Sequence, residues 1–223
     1  MDASDALVVV AGEELILSPH KALFWPRRST LIVADAHFGK AASFRARGVP
    51  VPEATTAVTL AALDALIARH DARRIVFLGD FLHARDGRGP HTLAALSAWR
   101  SRHARLALVL VEGNHDASAG APPAALGMAL ATEPLADAPF ALCHLPVPVP
   151  GRYVLAGHLH PACRIAGRRD AVRLPCFWFG AHVGVLPAFG AFTGAHTIVP
   201  AAGDRVYVVA GERVLRVPER QPA

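Results

Sequence analysis

Thr30-Leu31-Ile32-Val33-Ala34-Asp35-Ala36-His37 is a short apolar run that ends in an acid, a small residue and an imidazole. Such a run, rich in β-branched residues, reads as a strand buried on both faces. The pattern then recurs. Ile75–Leu78 leads to Gly79-Asp80, Leu106–Val111 to Gly113-Asn114-His115-Asp116, Phe140–Leu142 to Cys143-His144, and Tyr153–Ala156 to Gly157-His158-Leu159-His160. Adjacent strands whose carboxyl ends carry acids and imidazoles can converge on one spot, and that spot has the chemistry of a two-metal centre.

Around these segments the chain alternates and then turns strand-rich. Leu7–Val10, Glu14–Leu17, Ala22–Trp25 and Thr30–Ala34 predict four short strands. A helix is expected from Pro52 to about His70, with Val58, Ala61, Ala62, Ala65 and Leu66 as its apolar face. A second helix after Pro90 carries Leu93, Leu96 and Trp99 inward, and residues 122–130 suggest a short third. From Phe140 onward the pattern is almost entirely strand-like. A single sheet would need too many strands, so an α/β architecture of two packed mixed sheets flanked by helices is expected. In such folds ligands gather outside the carboxyl ends of the strands, where the five segments fall.

The chain has 223 residues, 52% of them hydrophobic, enough for a substantial core in one domain over residues 1–223. No linker, repeat or membrane-spanning stretch divides it, and the acidic start Met1-Asp2-Ala3-Ser4-Asp5 does not read as a signal peptide. Cys143, Cys163 and Cys176 are odd in number and lack zinc-type pairing, so a reduced cytoplasm is expected, with all three as small buried apolar residues. The net charge is +5, and of the 23 lysines and arginines all but Lys21 and Lys40 are arginine. That balance is compatible with a nucleic-acid substrate.

Each segment also has an ordinary reading: Asp-x-His as a helix cap and a surface histidine, Gly-Asp as a common turn. The joint order is what favours a metal site. On extended backbone the side chains of Asp35 and His37 face one way, and His158 and His160 repeat the spacing. Two ligand sets follow: Asp35, His37, Asp80 and His160 for one ion, and Asp80, Asn114, His144 and His158 for the other, with Asp80 bridging. Nitrogen and oxygen donors without thiolate suit two divalent ions, Mn2+, Fe2+ or Zn2+. His115 remains beside the site, to protonate a leaving oxygen or stabilise developing charge. Asp116 either orients His115 or caps a helix.

This order of motifs, over roughly residues 30–200, resembles the calcineurin-like metallophosphoesterase superfamily. The resemblance implies a four-layer α/β/β/α sandwich and phosphoester hydrolysis through an activated hydroxide. Cys143-His144-Leu145-Pro146 departs from the commoner Gly-His, and Phe81-Leu82-His83 from the usual acid or asparagine. Three stretches resemble one bacterial branch, the ligase-associated DNA-damage-response endonucleases. They are Ala34–Lys40 with Phe44-Arg45 and Gly48–Pro52, then Gly79–His83, then Leu186–Gly194. That branch implies a manganese-dependent phosphodiesterase cutting single-stranded or nicked DNA beside a ligase, a helicase and an exonuclease, with no membrane partner.

On this reading Lys40, Arg45 and Arg47 line the mouth and hold flanking phosphates, and Asn114 and His83 touch the substrate. Phe189 and Phe192 can stack on a base, but core packing is the expectation for both. The alternatives are a small-substrate phosphoesterase acting on cyclic nucleotides, nucleotides or monoesters, and a non-catalytic scaffold of the same fold.

Overall fold

The computed structural model describes residues 4–46, 48–51, 54–167 and 170–218. The first sheet runs in chain order: β1 (Ala6–Val10), β2 (Glu13–Leu17), β3 (Leu23–Trp25), β4 (Thr30–Ala34), β5 (Arg74–Leu78), β6 (Ala107–Val111) and β7 (Ala129–Ala131). Tight turns make β1 to β4 antiparallel, whereas β4 to β7 are parallel because helices intervene. Those helices are α1 (Lys40–Ala46), α2 (Thr55–His70), α3 (Pro90–Arg102) and α4 (Asn114–Ala119).

The second sheet holds β8 (Leu135–Asp137), β9 (Phe140–Leu142), β10 (Tyr153–Ala156), β11 (Pro161–Ala166), β12 (Ala171–Phe179), β13 (Val183–Val185), β14 (His196–Thr197), β15 (Arg205–Ala210) and β16 (Arg213–Arg216). Its path is β14-β11-β12-β13-β10-β9-β8, with β15 joining β12 to β16. β9, β10 and β13 are parallel. Two mixed sheets with few helices are therefore present, as expected, and α2 and α3 pack against the first sheet.

Period-two alternation explains how the layers stack. Ile32, Ala34, Val76, Leu78 and Val111 face the second sheet and bury against Phe140, Leu142, Leu155, Phe177 and Phe179. Their neighbours Leu31, Val33, Ile75, Phe77, Leu108 and Leu110 face the other way, against Leu60, Leu63, Leu66, Leu96 and Trp99 of α2 and α3. The outer face of the second sheet carries smaller clusters, Ala141 with Cys143, Val154 and Ala156, and Cys163 with Cys176 and Ile198. All three cysteines are free and buried. No described helix is long and apolar enough to cross a membrane.

Several local expectations shift. α2 buries Thr59, Leu60, Leu63 and Leu66, while Val58 is 54% exposed and Ala61 and Ala65 point outward. The helix is alanine-rich all round, so its apolar stripe is indistinct and packing selects the leucine side. Pro52, expected to open it, lies outside the described residues. Residues 122–130 form a 3-10 turn at Ala124–Leu126 and then β7, and no α-helix. Helix α1 was not expected.

The face assignment can be tested directly. Leu63→Ala should lower the unfolding free energy by about 2–5 kcal/mol. Val58→Ala should change it by about 0.5 kcal/mol or less, because the site is exposed. Urea denaturation of both variants measures the difference, and equal losses would contradict this packing.

Candidate metal centre

In-register parallel pairing aligns Ala34 with Leu78 and Leu78 with Val111, so three strands of the first sheet end at one level. Beyond that level the backbone turns abruptly. Asp35, His37, Asp80, His158 and His160 all have positive φ, between 45° and 68°, five of the nine described non-glycine residues that do. Asp35 and His37 thus converge through left-handed kinks and not, as their spacing suggested, through extended backbone. The same correction holds for His158 and His160. Left-handed backbone costs an L-residue about 1–2 kcal/mol, and such strain gathers where a site needs particular side-chain directions.

Glycines supply the clearance. A Cβ on Gly79, whose φ is +73°, would collide with the His144 ring. On Gly113 it would come within 2.8 Å of Asp80 Oδ1, and on Gly157 within 2.7 Å of Asp35 Oδ2. Hydrogen bonds then lock the turns together. The Asp116 carboxylate accepts the backbone N–H groups of Asp80 at 2.8 Å, Phe81 at 2.9 Å and Gly113 at 2.9 Å. Its pKa is raised, first by burial and then by the Asp80 charge, against the pull of those three donors. This is a cap that also ties two strand-end loops together. The side chain of His115, its expected partner, lies outside the described residues.

Two overlapping groups of potential ligand atoms result: Asp35 with His37 and His160, and Asp35 with Asp80 and His144. Asp80 faces both sets, with Oδ2 3.8 Å from His37 Nε2 and Oδ1 3.6 Å from His144 Nε2. Asp35 Oδ1 lies 3.6 Å from His160 Nε2, and both atoms are buried without a hydrogen-bond partner. His144 Nε2 further lies 2.8 Å from Asn114 Oδ1 and 3.0 Å from His158 Nδ1. Asp35 Oδ1 is also 3.8 Å from His144 Nδ1, but that nitrogen meets the Leu78 carbonyl at 3.1 Å, so this is the back of the ring.

The donor set fits divalent cations. A carbonyl only accepts, so His144 Nδ1 carries a proton, and in that tautomer Nε2 presents a lone pair to Asn114 Oδ1 and Asp80 Oδ1. Acceptor facing acceptor is repulsive, and a shared cation removes the conflict. His160 repeats the device, with Nδ1 3.1 Å from the Gly194 carbonyl and Nε2 left for the site. Ligand atoms about 2.1 Å from a common ion sit roughly 3–3.5 Å from one another, close to the spacings here. Such outer hydrogen bonds orient ligand rings.

The other sequence-predicted residues scatter around this core. Lys40, on α1, has its pKa lowered by burial while the charges of Asp35 and Asp80 oppose the shift. His83 sits edge-on to His37 at 5.3 Å between ring centroids and stacks with Phe44 at 6.1 Å. The Arg45 guanidinium donates to the Val51 carbonyl at 3.1 Å, bracing the loop after α1. Arg47 lies outside the described residues. Sequence reasoning missed Glu133, whose Oε2 accepts the N–H groups of His144 at 2.7 Å and Leu145 at 2.9 Å. A lone glutamate before a proline carries no sequence signal for that role.

No protein-family model matches the chain, and no curated protein does. Among solved structures, the nuclease MPE of Pseudomonas putida shares 45% identity with a TM-score of 0.85, covering 96% of this chain and 100% of that one. Likeness of that degree from end to end decides the family. The chain belongs to the calcineurin-like metallophosphoesterases, in the branch of ligase-associated endonucleases. Yfce, a phosphoesterase from E. coli, matches at 15% identity over 82% of this chain and 88% of that one, with a TM-score of 0.35 too low to bear on the argument.

In this metallophosphoesterase Gly79 is the tightest point of the centre. Gly79→Ala should strip most of the bound divalent metal, because the added methyl displaces the His144 ring. Metal analysis after dialysis, with circular dichroism to confirm folding, measures this; a folded variant with full metal content would contradict the geometry.

Proposed function

We propose that this protein is a divalent-metal-dependent phosphodiesterase that cuts DNA endonucleolytically. The observation that carries the reading is the pair of largely buried groups of potential ligand atoms that share Asp35, with Asp80 close to both, in a chain 45% identical to a nuclease. Asp35, His37, Asp80 and His160 are assigned to one ion, and Asp80, Asn114, His144 and His158 to the other. Mn2+ is assigned first, with Fe2+ and Zn2+ as the other metals this donor set suits. When bound, such ions polarise a phosphoryl group and lower the pKa of a coordinated water.

The chain's own residues do the rest. The carboxylates and imidazole rings set the charge of the pocket, and Asp116 holds Asp80 in place through the backbone. Lys40 supplies positive charge beside Asp35 and Asp80, where a phosphodiester approaches. The Asn114 amide and the His83 ring touch the non-bridging oxygens, and Arg45 keeps the loop beside Lys40 in position. His115, next in sequence to Asn114, is assigned to protonate the leaving oxygen. The physiological setting proposed is DNA repair in the cytoplasm, alongside a ligase, a helicase and an exonuclease.

Two substitutions separate these roles. Asp80→Ala should abolish hydrolysis of bis(p-nitrophenyl) phosphate and nicking of single-stranded circular DNA, and should weaken both ions in a titration. His115→Ala should retain its metal and slow cleavage, by about 10²-fold or more for alkoxide leaving groups and less for nitrophenolate. Near-wild-type turnover of Asp80→Ala would overturn the ligand assignment. Metal-loaded wild-type protein that hydrolysed only monoesters or cyclic nucleotides would overturn the substrate.

A further inference from the structure

Phe189 is 3% exposed and belongs to the core under α2, as expected. Phe192, three residues on, does not follow it. It is 43% exposed, and its ring meets Phe44 edge-on at 5.8 Å. The rings continue inward: Phe44 stacks with His83, and His83 stands edge-on to His37, a candidate metal ligand. Phe192 and His37 also line one narrow slot, together with Lys40, Thr55 and Thr59.

An exposed aromatic on a loose loop would mean little, but this loop is pinned at many points. The Phe189 and Gly190 N–H groups donate to the Ala34 and Asp35 carbonyls at 2.8 and 3.3 Å. Lys21 Nζ donates to the Gly190 carbonyl at 3.2 Å, and the Ala191 N–H to Thr59 Oγ1 at 3.3 Å. Downstream, the Gly194 carbonyl accepts from the His160 ring, and the His196 N–H donates to the His160 carbonyl at 2.9 Å. A Cβ on Gly190 would lie 2.6 Å from the Ala36 carbonyl oxygen. The loop is therefore built against the very segments that carry Asp35, His37 and His160. It holds a large apolar ring in solvent at a fixed place beside the metal centre.

We infer that Phe192, backed by Phe44, is a stacking platform for a nucleobase next to the scissile phosphodiester of a single-stranded DNA. The inference rests on the proposed nuclease reading and deepens it. Every base offers a π-face, so such a platform binds without sequence preference. The base must be free of its stacking neighbours, as a base in a single strand can be, because in a duplex that face is covered by the adjacent bases. Lys40 lines the same slot and lies near enough to Asp35 and Asp80 for their charges to act on it, so a strand that stacks on Phe192 meets a cation close to the candidate ligands.

The test uses the metal-loaded full chain and a single-stranded oligodeoxynucleotide with one cleavable phosphodiester among methylphosphonates. An abasic site is placed in turn at each nucleotide around that linkage. With wild-type protein, one position should raise KM about 10-fold, a loss that base-on-aromatic stacking sustains. Phe192→Ala should raise KM for the intact oligonucleotide about 10-fold and lose sensitivity to that abasic position. Phe192→Trp should keep the sensitivity, whereas Phe192→Leu, apolar without a π-face, should behave like the alanine variant. A Phe192→Ala enzyme with wild-type KM, or one still penalised at the same abasic position, would overturn the inference while leaving the nuclease reading intact. Wild-type protein that hydrolysed bis(p-nitrophenyl) phosphate but left the oligonucleotide whole would remove the nuclease reading itself, and the platform with it.

Discussion

The parallel register of β4, β5 and β6 is the constraint on which the rest depends. Ala34, Leu78 and Val111 are paired across three strands, so Asp35, Gly79-Asp80 and Gly113-Asn114 all leave the sheet at one height. A slip of one residue would exchange the two faces of a strand. It would carry Ile32, Ala34, Val76 and Leu78 away from the second sheet, and the ligand-bearing turns would no longer meet. The register is held because both faces of these strands are buried, one against the second sheet and one against α2 and α3. The core and the centre are thus two consequences of one pairing.

The second constraint is that the turns are strained. Five candidate ligands adopt left-handed backbone, which an isolated loop would relax. What keeps them in place is a set of backbone hydrogen bonds reaching from one turn to the next. The His37 N–H donates to the Asp80 carbonyl at 2.8 Å, the His158 N–H to Asp35 Oδ2 at 2.9 Å, and Asp116 gathers three donors from two loops. Buried carboxylates placed this way leave their remaining lone pairs aimed at one small volume. Cation binding then relieves the repulsion among acceptors that the fold has brought together.

Polar atoms at the rim have a double use. The Gly194 carbonyl that fixes the tautomer of His160 belongs to the loop that presents Phe192. Displacing that loop would therefore disturb both a candidate ligand ring and the surface beside it. The same economy holds for Glu133, which grips the backbone on both sides of the His144–Leu145 peptide and lies outside every recognisable motif.

By itself the sequence determined most of the strands, the order of their polar carboxyl ends and the two-sheet class, and it singled out Asp35, His37, Asp80, Asn114, His144, His158 and His160 as candidate ligands. These were legible because each lies within a few residues of a short apolar run, and local patterns survive folding. Tertiary structure alone decided the inward face of α2, since an alanine-rich helix has no sharp stripe and packing chooses among near-equal sides. It decided that the Asp-x-His and His-x-His pairs converge through left-handed turns, because such backbone is tolerated only where distant hydrogen bonds overdetermine it. It likewise parted Phe189 from Phe192, two similar residues in one short loop. Which of them is buried depends on how that loop is tied to Ala34, Asp35, Thr59 and His160, contacts far apart in the chain and invisible along it.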